Sequence, residues 1–94
     1  MRYPIAIEPG NESEAFGVIV PDLPGCYSAG DTLEEAHVNA KESAELWLEV
    51  VLEEGGSVPQ PSAPETLLRE HPEWADWTWS TVEVDVPKIA GRVA

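Results

Sequence analysis

The stretch VPDLPGCYSAGDTLEEA, Val20–Ala36, decides how this chain folds, because it ends one regular element and starts another within seventeen residues. Pro21 and Pro24 remove two backbone donors within four residues, so a β-ladder arriving at Val20 cannot continue. Gly25 permits a reversal, and CYSA then reads as a short strand. After Gly30, Thr32 and Glu35 have the spacing of a capping box, and Asp31, Glu34 and Glu35 suit the positive end of a helix.

Upstream, EAFGVIV reads as a strand with Phe16, Val18 and Val20 on one face. The start of the chain, RYPIAIEP, alternates Tyr3, Ile5 and Ile7 against Arg2, Ala6 and Glu8, which describes a strand with one buried face. Pro4 is compatible with that strand only at a sheet edge or at the strand's start. PGNESE, residues 9–14, reads as a polar turn joining the two strands into a hairpin.

Downstream of the cap, Leu33, Ala36, Ala40, Ala44, Trp47, Leu48, Val51 and Leu52 recur at three- and four-residue steps, with Glu42, Glu45, Glu49 and Glu53 largely on other faces. The pattern predicts a long helix to about Glu54, stopped by Gly55 and Gly56, with Trp47 in the core. SVPQPSAP, residues 57–64, is an ordered surface loop, and Pro64 opens a short helix over PETLLREH. WTWSTVEVDV reads as a fourth strand in which Val82, Val84 and Val86 face one way and Glu83 and Asp85 the other. The order is β-β-β-α-α-β in a single domain spanning 1–94, an α+β fold with helices on one face of a mainly antiparallel sheet.

Eighteen acids against five bases leave a formal charge of −13. That charge repels phosphate backbones and anionic membranes and attracts a basic protein. We therefore expect no direct nucleic-acid or membrane partner. A single cysteine cannot close an intramolecular disulfide, no run approaches the roughly 20 apolar residues of a membrane span, and MRYPIAIEPG lacks the apolar core of a signal peptide, so a cytoplasmic setting is expected.

The residues from Phe16 to Ser62, FGVIVPDLPGCYSAGDTLEEAHVNAKESAELWLEVVLEEGGSVPQPS, resemble the N-terminal domain of the HicB antitoxin family. There a strand ends in PDLPG, a Gly-Asp-Thr turn starts the long helix, and a Pro-x-Pro-Ser loop follows. The likeness continues through the tryptophans and VEVDV to IAGRVA. It implies a partial RNase H-like fold and a partner, a small basic HicA toxin that cleaves mRNA through a histidine and whose active site the antitoxin covers. Family members usually carry a further C-terminal DNA-binding part, and this chain, ending at Ala94, is expected to lack it.

The expected function is thus a non-catalytic inhibitor of a HicA-type toxin, without a cofactor. The alternative is a solitary homo-oligomeric module with no toxin, acting in regulation or interaction. A metal-dependent nuclease would need converging carboxylates, and the candidates Glu8, Asp22, Asp31 and Asp85 each read as turn, corner or cap residues or as part of a strand face. His37 and His71 lack the partners of a helix-borne zinc site, and Cys26 has no base beside it in sequence. Asp22, Tyr27 and Asp31 are expected exposed at one end of the sheet and, with Glu34, form the expected toxin-binding surface. Trp77 and Trp79 fall on the sheet face opposite Val82 and Val84, a candidate interface with a second copy or with the toxin.

Overall fold

The computed structural model describes residues 1–10 and 15–93; the turn expected over 9–14 lies mostly outside the described residues. Its sheet is antiparallel, in the order β3-β2-β1-β4, built from β1 (Arg2–Glu8), β2 (Phe16–Ile19), β3 (Tyr27–Gly30) and β4 (Thr78–Glu83). The helices are α1 (Leu33–Glu53), α2 (Pro64–Glu70) and α3 (Val86–Val93), and a single 3-10 turn, Pro72–Trp74, follows α2.

β1 lies at the centre, not at an edge, and still contains Pro4. Met1 and Val84 exchange both backbone hydrogen bonds at 2.8 Å, so Tyr3, Ile5 and Ile7 are the residues bonded to β4 and Pro4 points its nitrogen toward β2. The β1–β2 ladder covers only Ala6–Glu8, so β2 has already turned away where an N–H from residue 4 would have been needed to donate. The proline is tolerated because the neighbouring strand is short.

Tyr3, Ile5, Ile7, Val18, Val20, Val82 and Val84 form one face of the sheet and pack against Ala36, Ala40, Ala44 and Leu48 of α1. Alanine at three successive contact turns brings the helix axis close to the strands, and Gly30 marks the nearest approach: a Cβ there would lie 2.3 Å from the Ala36 nitrogen. Thr32 caps α1, its Oγ1 accepting from the Glu35 N–H at 3.0 Å, while the Glu35 carboxylate accepts from the Asp31 N–H at 3.5 Å. At the other end Gly55, at φ +77°, donates to the Leu52 carbonyl, and Gly56 donates to that of Val51, closing the helix as its Gly-Gly pair predicts.

The strand read through Val86 stops at Glu83, and Val86 begins α3 instead. Asp85 is the reason: its Oδ1 accepts from the Lys88 N–H at 3.0 Å and its carbonyl accepts from the Ile89 N–H at 3.1 Å, so it caps a helix that Pro87 then favours. Val84 stays in the core as expected, whereas Val86 packs against it from the helix and Ile89 is fully buried. α3 lies against α1, with Arg92 3.3 Å from Glu45.

The opposite face carries Ala6 and, across from it in register, Trp79. Trp79 Nε1 donates to the Trp74 carbonyl at 3.2 Å, so the chain leaving α2 returns over this face. No helix among the described residues is long and apolar enough to cross a membrane.

Candidate functional site

The corner between β2 and β3 satisfies its own backbone. Val20 donates to the Cys26 carbonyl, Leu23 to that of Val20 and Cys26 to that of Leu23, at 2.9–3.1 Å, while Gly25 takes φ +81°. Four side-chain hydrogen bonds tie other elements to this region and to the 57–64 loop. Trp47 Nε1 donates to the Pro24 carbonyl at 2.9 Å, Asp22 accepts two bonds from Ser62, and the Tyr3 hydroxyl donates to the Pro59 carbonyl at 2.6 Å. Burial, with the nearby Asp22 charge second, raises the Tyr3 pKa. The 57–64 loop is thus ordered by hydrogen bonds at both Pro59 and Ser62.

This placement separates the expected toxin-binding residues. Asp22 is half-buried and both its oxygens are engaged, so it is not the free exposed carboxylate expected. Tyr27 opens β3 and Asp31 follows its end; four residues at about 3.3 Å each put them about 13 Å apart along the strand. They do not share one end of the sheet. Asp31 instead sits beside Glu34 and Glu35 at the start of α1, all three exposed.

Trp77 and Trp79 are half-buried around Trp74, at ring separations of 6.0 and 6.3 Å, and His71 stacks on Trp74 at 4.2 Å. These four rings form one aromatic cluster whose contacts are local. Trp47, read as core, is half-buried at the core's margin because its indole reaches out to Pro24.

Burial raises the Cys26 thiol to about 11, which leaves it un-ionised and a poor nucleophile near neutrality. Among the described residues no group of three or more His, Cys, Asp or Glu is placed to hold a metal ion. Asp22 binds Ser62 and Asp85 caps α3.

One surface that sequence periodicity did not single out lies where α1 passes the β3 edge. A groove there is lined by Gly25, Cys26 and Tyr27 from the strand side and by Ser43, Leu46, Trp47, Val50, Val51 and Glu54 from the helix. Leu46, Val50 and Tyr27 are 62%, 44% and 67% exposed, and the groove brings them together. The solvent side of α1 is mainly acidic: Glu34, Glu35, Glu42 and Glu53 are exposed there, beside Val38 and Lys41.

The fold agrees with that of known proteins. An uncharacterised 14.9 kDa protein of Haemophilus phage HP1 is 41% identical over 92 residues, which are 98% of this chain and 67% of that protein. The antitoxin HicB of Burkholderia pseudomallei is 35% identical and superposes with a TM-score of 0.81, covering 94% of this chain and 66% of the antitoxin, so this chain spans about two thirds of it. HicB3, in the structure of a HicA3 and HicB3 toxin-antitoxin complex, is similar over 90% of this chain and 99% of its own, at 31% identity and a TM-score of 0.70. Residues 3–94 match the family described as HicB_like antitoxin of bacterial toxin-antitoxin system, and with the sheet order, the capped α1 and the clamped Pro-x-Pro-Ser loop in place, the chain belongs to that antitoxin family.

Proposed function

We propose that this chain binds and neutralises a small basic HicA-type mRNA-cleaving toxin by covering its active site, acting as an inhibitor and not as an enzyme. The observation that carries the reading is the likeness to HicB3, which extends over 99% of a chain solved with its toxin HicA3. The charge of −13 supports it independently: a protein that handles RNA needs a positive surface, and an inhibitor occupying that surface gains by presenting carboxylates where phosphates would lie. The docking face we assign is the acidic start and solvent side of α1, centred on Asp31 and Glu34. Asp22 contributes indirectly, by holding the 57–64 loop.

The test is calorimetric titration of this chain against the basic protein encoded beside it, at two salt concentrations, with cleavage of RNA by that protein followed in parallel. Tight binding that weakens with salt and abolishes cleavage is the expected result. Absence of binding, or binding that leaves cleavage intact, overturns the reading in favour of a solitary interaction module.

A further inference from the structure

β3 is an edge strand, and its outward-facing backbone can be identified. The Val20 N–H bonds to the Cys26 carbonyl, so alternation along the strand turns Ser28 and Gly30 toward β2 and leaves Tyr27 and Ala29 facing away from the sheet. The Asn39 side chain confirms the direction, since its Nδ2 reaches the Ala29 carbonyl from outside at 2.8 Å. Asn39 occupies one lone pair of that carbonyl, and the Tyr27 N–H and C=O and the Ala29 N–H remain directed outward, an open template for another strand.

The helix beside this edge is equally selective. Asn39, Ser43, Leu46, Trp47 and Val50 recur at three- and four-residue steps along the flank of α1 that overlooks β3, and none is charged. Every exposed charged residue of the same helix, the carboxylates Glu34, Glu35, Glu42 and Glu53 and the cation Lys41, lies outside the groove, and only Glu54 touches it, at its end.

A chain carrying −13 repels its own copies wherever carboxylates meet, and a basic partner is drawn to those same carboxylates. The uncharged flank is where a like-charged copy can approach without that repulsion and where a basic partner gains least. Its strand edge is also self-complementary: antiparallel pairing about Ser28 sets Tyr27 of one copy opposite Ala29 of the other, and both are outward-facing residues able to exchange hydrogen bonds.

We propose that a second copy of this chain docks here, β3 against β3 about a two-fold axis at Ser28, so that the two sheets join into one and Leu46 and Val50 are covered between the paired α1 helices. The assembly does not depend on a toxin being present.

The experiment is sedimentation equilibrium over a wide dilution series of the wild-type chain and of Leu46→Glu and Val50→Glu, with amide hydrogen exchange read at Tyr27 and Ala29. Both substitutions fall on exposed positions, so the fold is retained and circular dichroism checks it. The expected result is a wild-type dimer, protected amides at Tyr27 and Ala29, and a dissociation constant raised about 100-fold by Leu46→Glu, the loss that removal of a central anchor causes. A wild-type monomer at every concentration overturns the proposal. So does a dimer that survives both substitutions, or one whose Tyr27 and Ala29 amides exchange freely; Trp77→Ser breaking such a dimer would move the contact to the aromatic cluster. If Leu46→Glu leaves the mass unchanged but abolishes binding of the basic toxin, the groove belongs to the toxin and the proposal also fails.

Discussion

Ser62 closes on Asp22 with two hydrogen bonds, its backbone N–H on Oδ2 at 2.9 Å and its hydroxyl on Oδ1 at 2.6 Å, joining a proline-rich loop to the corner that ends β2, forty residues earlier. A carboxylate accepting from both is stronger than a neutral acceptor, and its loss strands the Ser62 donors beside a half-buried surface. Asp22→Ala should therefore destabilise the fold by about 2 kcal/mol, and Asp22→Asn by about half that, because an amide keeps one acceptor. Urea denaturation checks both values. Proteolysis within residues 57–64 should accelerate in the alanine variant, since the loop loses one of its two anchors.

Glycine is required at two positions for different reasons, and substitutions separate them. At Gly30 an added Cβ would lie 2.3 Å from the Ala36 nitrogen and 2.6 Å from its Cα, so α1 must move off the sheet. Gly30→Ala should cost about 4 kcal/mol, at the upper end for a point change. At Gly25 a Cβ meets nothing within 4 Å, and only the φ of +81° opposes it. Gly25→Ala should cost about 1 kcal/mol. Similar losses at the two sites in thermal denaturation would contradict the tight packing of α1 on β3.

Asp85 starts α3 through its bond to the Lys88 N–H, and Ile89, one turn on, is fully buried. Asp85→Ala should cost about 1 kcal/mol, while Asp85→Ser, which restores an acceptor, should recover most of it. Hydrogen exchange localises the effect: the amides of Lys88 and Ile89 should lose protection before those of β4.

That helix shows where sequence patterning stops being decisive. Val82, Val84 and Val86 continue an unbroken alternation, and period two outweighs a lone Asp-x-Pro until Asp85 is seen to accept from the Lys88 and Ile89 N–H groups and start a helix. The elements up to β4 were legible because each had local punctuation: Pro21 and Pro24 for the corner, Thr32 and Glu35 for the cap, Gly55 and Gly56 for the stop. The candidate surfaces were less so. Asp22 looks like any exposed acid until Ser62 is brought to it from forty residues away. The neutral flank of α1 acquires meaning only when the sheet order puts β3 at an edge, a fact no periodicity within α1 contains.

Cys26 supplies a pH prediction. Its folded pKa of about 11 stands above the ordinary value of 9.0 because burial disfavours the thiolate. A raised pKa contributes stability that is complete below the unfolded value and is lost as pH rises through the folded one. Stability should therefore decline between about pH 9 and about pH 11, and Tyr3, whose pKa is raised in the same direction, adds to the decline. Cys26→Ala should flatten the alkaline limb of a urea-midpoint profile. In the wild type, thiol labelling at pH 8 should be slow when native and fast in denaturant.

Asp31 and Glu34 are the residues through which the proposed toxin-binding face is tested most directly. Both are exposed at the positive end of α1, where reversal to lysine forfeits a few tenths of a kcal/mol of helix stabilisation and leaves the Thr32 cap intact. The double variant Asp31→Lys/Glu34→Lys should bind the basic toxin about tenfold more weakly, mostly through a slower association rate, and with a shallower dependence on salt. Asp22→Lys, in contrast, should lose stability before it loses affinity, because its carboxylate faces Ser62 and not solvent. Stopped-flow association at two ionic strengths distinguishes the two outcomes. An unchanged rate in the Asp31/Glu34 variant would remove the start of α1 from the docking face and direct attention to the remaining acids of that helix, Glu42 and Glu53.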